Sequence, residues 1–508
     1  MSENRSIKST KNIISGFVQK TFALVLTFVS RTVFIKFLGV EMLGISGLFV
    51  SIHSVLCLAD LGFSTAMTYS YYKPVAENDY KKISALTHFY KKVYLTIAFA
   101  ITVIGLAIVP FLESIVNLEK PVDHLHLYYL IGLMTTVVSY LFVYKTTILT
   151  AYQQQYVIAK YNMIINFVQT IVQIIIMATT KNYILYLLSA TFFTVFNNVY
   201  ISHVVDKRFP FVKQKEILQK SDQKDIFSNL GSVFLYKVSS VLINSTDNII
   251  ISKMIGTVYV GYYSNYLTVI NMISSYVTIA FSSLTASIGN LMIKDSKEKQ
   301  YEVFKEVQVV SSWFSIVLAS CVYVLLNDFI NIWLGKGFLL DNLTVIAIGI
   351  NFFLICLLNP IWIFREAAGI YRKTKYIMVI CAVLNIGISI LLGKYLGLSG
   401  VLFASAISKL LTYIWYEPII LFKNFFGKSP LKFFAPAIGI TVITVGISAL
   451  MSYFMTFVAI DGVLGFIVKG IICFLISNVV FVTVFARNKY FKSTVQRITN
   501  IVKGFIKR

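Results

Sequence analysis

Fourteen apolar stretches, most of them twenty residues or longer, run through the chain and leave little of it for a water-soluble domain. They lie at about 13–38, 45–72, 93–113, 125–150, 161–180, 183–204, 226–254, 257–293, 307–328, 343–364, 376–393, 398–421, 433–456 and 462–485. At about 1.5 Å per residue, each can cross a hydrocarbon layer about 30 Å thick. Inside that layer every backbone polar group must be bonded within a helix or a closed barrel. The ten-residue alternation of barrel strands is absent, so the segments are helices. Composition agrees, at 57% hydrophobic and 13% charged residues, against roughly 25% charged in soluble domains. The expected fold class is an all-α polytopic membrane protein of about 14 transmembrane helices.

The N-terminal MSENRSIKST leads into the first apolar stretch without a small-residue cleavage site, so that segment is expected to insert and stay. The five cysteines (Cys57, Cys321, Cys356, Cys381, Cys473) all lie in apolar segments, and none forms a C-x-x-C. The five histidines form no metal-ligand spacing. Buried thiols and no metal or other cofactor are the expectation.

Charge fixes the orientation. With the N-terminus cytoplasmic, 33 of the 45 Lys and Arg fall in cytoplasmic segments and six (Lys36, Lys120, Lys181, Lys253, Lys336, Lys394) outside. That is the positive-inside bias, with both termini cytoplasmic. It also accounts for most of the net charge of +23, so basicity implies no nucleic-acid partner. The basic tail ARNKYFKSTVQRITNIVKGFIKR has apolar residues every three or four positions. It is expected either as an amphipathic helix on the cytoplasmic leaflet or as a frayed end. The outer connections are short, the longest being about a dozen residues around Glu113 to His124, which leaves no folded outer loop to carry catalytic groups.

The chain also repeats itself. Residues 15–44 and 232–261, offset by 217, agree at Ser15/Ser232, Phe17/Phe234, Lys20/Lys237, Lys36/Lys253, Gly39/Gly256 and Gly44/Gly261. At an offset of 219, Tyr152 and Asn166 match Tyr371 and Asn385. Six spans per unit give two repeats of the same orientation, related by an axis along the membrane normal. The expected organisation is a six-helix lobe at 1–205, a basic cytoplasmic linker at 206–225, a second six-helix lobe at 226–424, two further helices at 425–486 and a basic tail at 487–508. A cavity is expected between the two lobes.

Ionisable groups within a span cost at least 2.5 kcal/mol on insertion scales and mark wet interiors. Away from span ends these are Lys20, Arg31, Asp60, Lys145, Lys237, Asp247, Lys409 and Lys469. Cations outnumber acids, which predicts a cavity with a positive surplus. Lys20, Thr27 and Arg31 share a helix face, and Lys237, Ser240, Asn244 and Asp247 share another. His53, Cys57, Asp60, Ser64 and Thr68 form a further polar stripe. Asp60 is either a counter-ion to Lys20 or Arg31 or a proton or sodium site, and Asp247, beside the repeat equivalent of Arg31, is a further candidate for ion coupling or charge compensation. The fifth span carries Asn162, Asn166, Gln169 and Gln173 at spacings of 4, 3 and 4. Amides both donate and accept, as a hydroxyl-rich sugar requires, but they equally serve as bonds between membrane helices.

The blocks RTVFIKFLGVEMLGISGLFVSIHSVLCLADLGFSTAMTYSYYKPVAENDYKKISAL and TDNIIISKMIGTVYVGYYSNYLTVINMISSYVTIAFSSLTASIGNL resemble the polysaccharide transporter family, the Wzx-type oligosaccharide flippases of the multidrug/oligosaccharidyl-lipid/polysaccharide (MOP) superfamily. The resemblance is specific in these blocks and general in hydropathy elsewhere. It implies a bacterial cytoplasmic membrane protein that moves an undecaprenyl-diphosphate-linked oligosaccharide from the inner to the outer leaflet. Capsule, exopolysaccharide or teichoic-type polymers would be its products, with a polymerase and glycosyltransferases of the pathway as partners. It further implies cationic headgroup contacts on the first helix of each lobe, here Lys20, Arg31 and Lys237. Lys145, Asn162, Asn166, Gln169, Gln173 and Asn244 complete the candidate cavity lining.

Two other functions compete. A cation-coupled multidrug exporter of the same superfamily should rely on acids and aromatics, against the surplus of cations. A membrane polysaccharide polymerase should lack the repeat and carry a large loop.

Overall fold

The computed structural model describes residues 5–506 apart from 61–62, 119–120, 215, 459 and 461. The side chains of 5–14, 59–60, 64–66, 225, 227–233, 283, 286, 293, 371–372, 498 and 500–506 lie outside that description. Among the described residues the regular structure is helical and no strand occurs. By packing, the chain divides into two compact units, Met1–Gly261 and Tyr262–Arg508.

The first unit contains α1 (Arg5–Leu56), α2 (Phe63–Glu77), α3 (Tyr80–Ile108), α4 (Leu112–Ile115), α5 (Leu125–Tyr140), α6 (Val143–Ala151), α7 (Gln155–Thr180), α8 (Tyr183–Arg208), α9 (Lys220–Met254) and the start of α10 (Thr257–Lys294). The second holds the rest of α10, then α11 (Lys297–Trp313), α12 (Ala319–Leu334), α13 (Asn342–Ala367), α14 (Tyr371–Leu411), α15 (Tyr413–Leu421), α16 (Leu431–Met455), α17 (Gly462–Phe485) and α18 (Lys489–Ile506).

Ten helical segments among the described residues are long and apolar enough to cross a membrane, and the pair α5 and α6, bent by 45°, adds an eleventh. Two of the ten are double. Gly39 (φ 85°, ψ 169°) breaks the segment Ser15–Leu56, and Gly397 (φ 60°, ψ −136°) breaks Lys373–Phe426. Only glycine takes such a conformation without strain, so each break joins two spans end to end. Helix α9 falls outside the ten because polar residues such as Lys237, Asn244, Asp247 and Asn248 lower its hydropathy. Counting both sides of each break and adding α9 gives the fourteen spans expected from sequence. The protein is a polytopic, all-α membrane protein.

The units divide one helix later than the repeats do, because α9 packs on α1. Asn248 of α9 donates its amide to the Ser51 hydroxyl of α1 at 2.9 Å. Past its end, Gly256 takes φ 143°, as its repeat partner Gly39 takes φ 85°. Thr257 then closes a small polar cluster with the loop after α4. Its amide donates to the Asn117 carbonyl at 2.8 Å, its hydroxyl accepts from the Asn117 amide at 2.9 Å, and Ser252 donates to the Ile115 carbonyl at 2.9 Å. These bonds satisfy backbone groups that a loop at a membrane boundary would otherwise leave bare. Beside them Gly44 and Gly261 meet: a Cβ on Gly44 would lie 3.3 Å from the Gly261 nitrogen and would overlap the Thr257 carbonyl.

The core of the first unit is aromatic as well as aliphatic. Tyr71, Tyr90, Tyr94 and Tyr129 are fully buried, and their hydroxyls need partners at that depth. Tyr71 shares a 2.8 Å hydrogen bond with Thr87, and Tyr129 donates to the Gly105 carbonyl at 3.0 Å. In the second unit Phe304, Phe364, Phe422, Phe426 and Phe433 form a buried aromatic cluster, with the Phe304 ring 5.2 Å from those of Phe364 and Phe422.

Candidate functional site

All the side chains singled out for substrate and ion handling belong to the first unit. Helix α1 carries Lys20, exposed, and Arg31, half-buried. Between them the exposed Thr27 hydroxyl donates to the Ala23 carbonyl of its own helix at 2.8 Å, which leaves the cations as the prominent polar groups of this face. Helices α7 and α8 hold the apolar side of α1. Phe22 meets Phe167 at 5.6 Å between ring centroids, and Phe34 meets Tyr183 and Tyr186 at 5.9 and 5.2 Å. Arg31 lies close enough to Tyr186 for the two to interact electrostatically. An exposed lysine in a span faces either lipid, at a cost of some kcal/mol, or water. Lys20 therefore belongs to a wet surface or reaches back to the interface.

Helix α9 repeats the pattern with different chemistry. Lys237 is half-buried, Asn244 is exposed with its amide on the Ser240 carbonyl at 2.7 Å, and Asp247 is 8% exposed. Next to it Asn248, the repeat equivalent of Arg31, is committed to Ser51. The polar stripe after Gly39 includes His53, buried with its ring 5.1 Å from that of Tyr129. Gly132 makes room for it, since a Cβ there would come within 2.6 Å of His53 Cε1. The Asp60 side chain, assigned to ion coupling or charge compensation, lies outside the described residues.

The amide row of α7 is mixed in character. Asn162 accepts a 3.0 Å hydrogen bond from the Asn197 amide of α8 and so ties two helices together. Asn166 is exposed, Gln169 half-buried and Gln173 buried. Of the four, Asn166 is the one whose side chain is open to a ligand, while Asn162 is spoken for.

Lys145 of α6 is paired with Asp206 of α8 at 2.8 Å. In the second unit Lys469 is paired with Asp328 at 2.9 Å, and Lys409 donates to Asn351 Oδ1 at 2.9 Å. Both aspartates stand at the ends of apolar stretches, where sequence alone counts them as interfacial. A third missed pair is Arg365 with Glu417, in which Arg365 Nη1 donates to both carboxylate oxygens at 2.7 and 2.9 Å. Two of these pairs, Lys145 with Asp206 and Lys469 with Asp328, offset part of the cation surplus read from the sequence.

The set is rich in cations and amides. It can hold an anion loosely, lysine acting as a point charge rather than as a bidentate clamp.

Residues 9–286 match the family model described as polysaccharide biosynthesis protein. Among solved structures, the chain is similar to the lipid II flippase MurJ in an inward closed conformation. The identity is 15%, the TM-score 0.64, and the match covers 93% of this chain and 99% of that one. A multidrug resistance MATE family transporter of the MOP superfamily, inward-facing, matches at 13% identity and TM-score 0.56, covering 78% and 93%. A MATE transporter of Vibrio cholerae matches at 12% and 0.53, covering 84% and 100%. At these identities the likeness is one of fold. No curated protein sequence matches the chain.

Proposed function

Because the chain belongs to the polysaccharide biosynthesis protein family, we propose that it is a flippase for an undecaprenyl-diphosphate-linked oligosaccharide. It carries the headgroup from the inner to the outer leaflet of a bacterial cytoplasmic membrane, with both termini cytoplasmic. No bond of the substrate changes.

The observation that carries this reading is the placement of Lys20, Arg31 and Lys237 on the opening helices of the two repeats, inside a fold shared with a lipid II flippase. A diphosphate-sugar headgroup is anionic and strongly hydrated, whereas its polyprenyl tail is at home in lipid. Two or three cations at membrane depth replace part of the water around the diphosphate, and the exposed amide of Asn166 supplies hydrogen bonds to sugar hydroxyls. A loose grip suits a carrier, which must release at the far side what it captured at the near side. Alternating access by the two repeats then moves the head while the tail stays in the bilayer. Asp60 and Asp247 are the carboxylates through which a proton or sodium ion would couple to the cycle.

Conditional depletion of the protein in its host, followed by lipid extraction and mass analysis, tests the proposal. A lipid-diphosphate oligosaccharide that accumulates on the inner face supports it and identifies the sugar unit. An unchanged lipid pool and surface polymer, with raised sensitivity to cationic drugs, overturns it in favour of an exporter.

A further inference from the structure

Helix α18 presents three faces. Tyr490, Ser493, Thr494 and Arg497, at spacings of 3, 1 and 3, share the side that packs on α11. There the Ser493 hydroxyl donates to Glu306 Oε1 at 2.5 Å and Arg497 pairs with Glu306 Oε2 at 3.0 Å. Phe491 and Val495 share a second, apolar side, which the sequence continues through Ile498 and Val502. Phe491 meets Phe481 of α17 at 5.7 Å, while Val495 is 45% exposed. Lys489 and Lys492, both exposed, share the third side, which the sequence continues through Lys503.

Between α18, α11 and the end of α10 lies a cavity of about 190 Å³. Its walls are mostly apolar, with Leu284, Ile288, Val303, Val307 and Val310 among them, and Arg497 stands at its edge. The positive-inside orientation puts this corner at the cytoplasmic leaflet. Two of the acids nearby are already engaged, Glu306 by Ser493 and Arg497 and Glu302 by Lys299 at 3.7 Å. The same end of the unit adds Lys305 and Lys432, whose ammonium groups lie 6.0 and 5.7 Å from the Tyr301 ring.

We infer that this corner binds an anionic phospholipid of the cytoplasmic leaflet. An acyl chain enters the cavity between α10, α11 and α18, and the phosphate meets the lysine side of α18. The apolar walls suit hydrocarbon and reject water. The surplus of cations selects an anionic head over a zwitterionic one. Glu306 sets the geometry by fixing α18 on α11, so that Val495 and the two lysines Lys489 and Lys492 remain exposed. The site differs in place from the substrate residues, all of which belong to the first unit.

The full-length protein, in nanodiscs of equal parts phosphatidylglycerol and phosphatidylcholine, is released into mild detergent and weighed by native mass spectrometry. Wild type should retain phosphatidylglycerol several-fold over phosphatidylcholine. Lys489→Gln with Lys492→Gln should bring that preference close to parity, since each cation near an anionic lipid contributes up to roughly fivefold. Ser287→Trp, which fills the cavity from an exposed wall position, should reduce retention of both lipids. Unchanged melting temperatures in both variants exclude misfolding as the cause. Equal retention of the two lipids by wild type, or retention unaltered in folded variants, overturns the inference.

Discussion

Gly44 and Gly261, residues that the internal repeat aligns with each other, touch backbone to backbone. A Cβ on Gly261 would lie 3.1 Å from the Gly44 nitrogen, and one on Gly44 would lie 3.3 Å from the Gly261 nitrogen. Neighbouring carbonyls leave still less room, Val40 O beside Gly261 and Thr257 O beside Gly44. The contact is reciprocal, and a side chain on either residue would force the two helices apart. Gly44→Ala and Gly261→Ala should therefore each destabilise the protein by about 1–3 kcal/mol through overpacking. The double variant should cost less than the two together, because the first methyl already separates the helices. Gly387→Ala, at a helical position with nothing within 4 Å, should be neutral or stabilising by up to about 1 kcal/mol. Thermal denaturation in detergent distinguishes the three.

Lys145 and Asp206 form an ion pair with side chains 17% and 20% exposed. Loss of one partner strands the other at membrane depth. Lys145→Met or Asp206→Leu alone should cost on the order of 3 kcal/mol, and the double variant markedly less. A double-mutant cycle on melting temperature measures the coupling, and additive losses would show that the pair contributes nothing as a pair.

Arg365 and Glu417 are the most buried ion pair among the described residues, with side chains 9% and 2% exposed. Glu417→Gln should destabilise the second unit by about 3–5 kcal/mol, because it leaves a guanidinium uncompensated. Arg365→Lys should lose stability as well, because an ammonium lacks the planar set of donors that the guanidinium brings to this buried site. Expression level and melting temperature in the same detergent report both effects.

The transport reading makes a separate prediction for Lys20. Its side chain is exposed, so Lys20→Gln should leave the melting temperature within about 0.5 kcal/mol of wild type. It should nonetheless lower complementation of a depleted strain at least tenfold, as should Arg31→Gln and Lys237→Gln. Lys20→Arg should retain most activity, because a loose anion contact needs charge more than shape. Full activity in Lys20→Gln would remove Lys20 from the site.

Much of this molecule is legible in the sequence because lipid imposes a one-dimensional rule. Apolar length marks the spans, and the structure adds breaks at Gly39 and Gly397 where a helix pair would otherwise read as one long rod. The repeat likewise points to Gly39 and Gly256, both of which adopt positive φ. Partner choice is not legible, because it is set by which helix faces meet. Asp206 and Asp328 look like interfacial residues until helix packing brings them to Lys145 and Lys469. Asn162 reads from sequence as either a sugar ligand or a bond between helices, and the structure shows its bond to Asn197. Glu306 attracts no notice in a cytoplasmic helix end, yet it fixes the tail through Ser493 and Arg497.

The most direct measurement is leaflet exposure of the substrate in proteoliposomes. The purified protein is reconstituted with an undecaprenyl-diphosphate oligosaccharide placed on one leaflet, and an impermeant glycosidase is added on the opposite side. The account predicts time-dependent cleavage that requires the wild-type protein and falls at least tenfold in Lys20→Gln. Cleavage no faster than in protein-free liposomes, with folded protein present in the membrane, would contradict it.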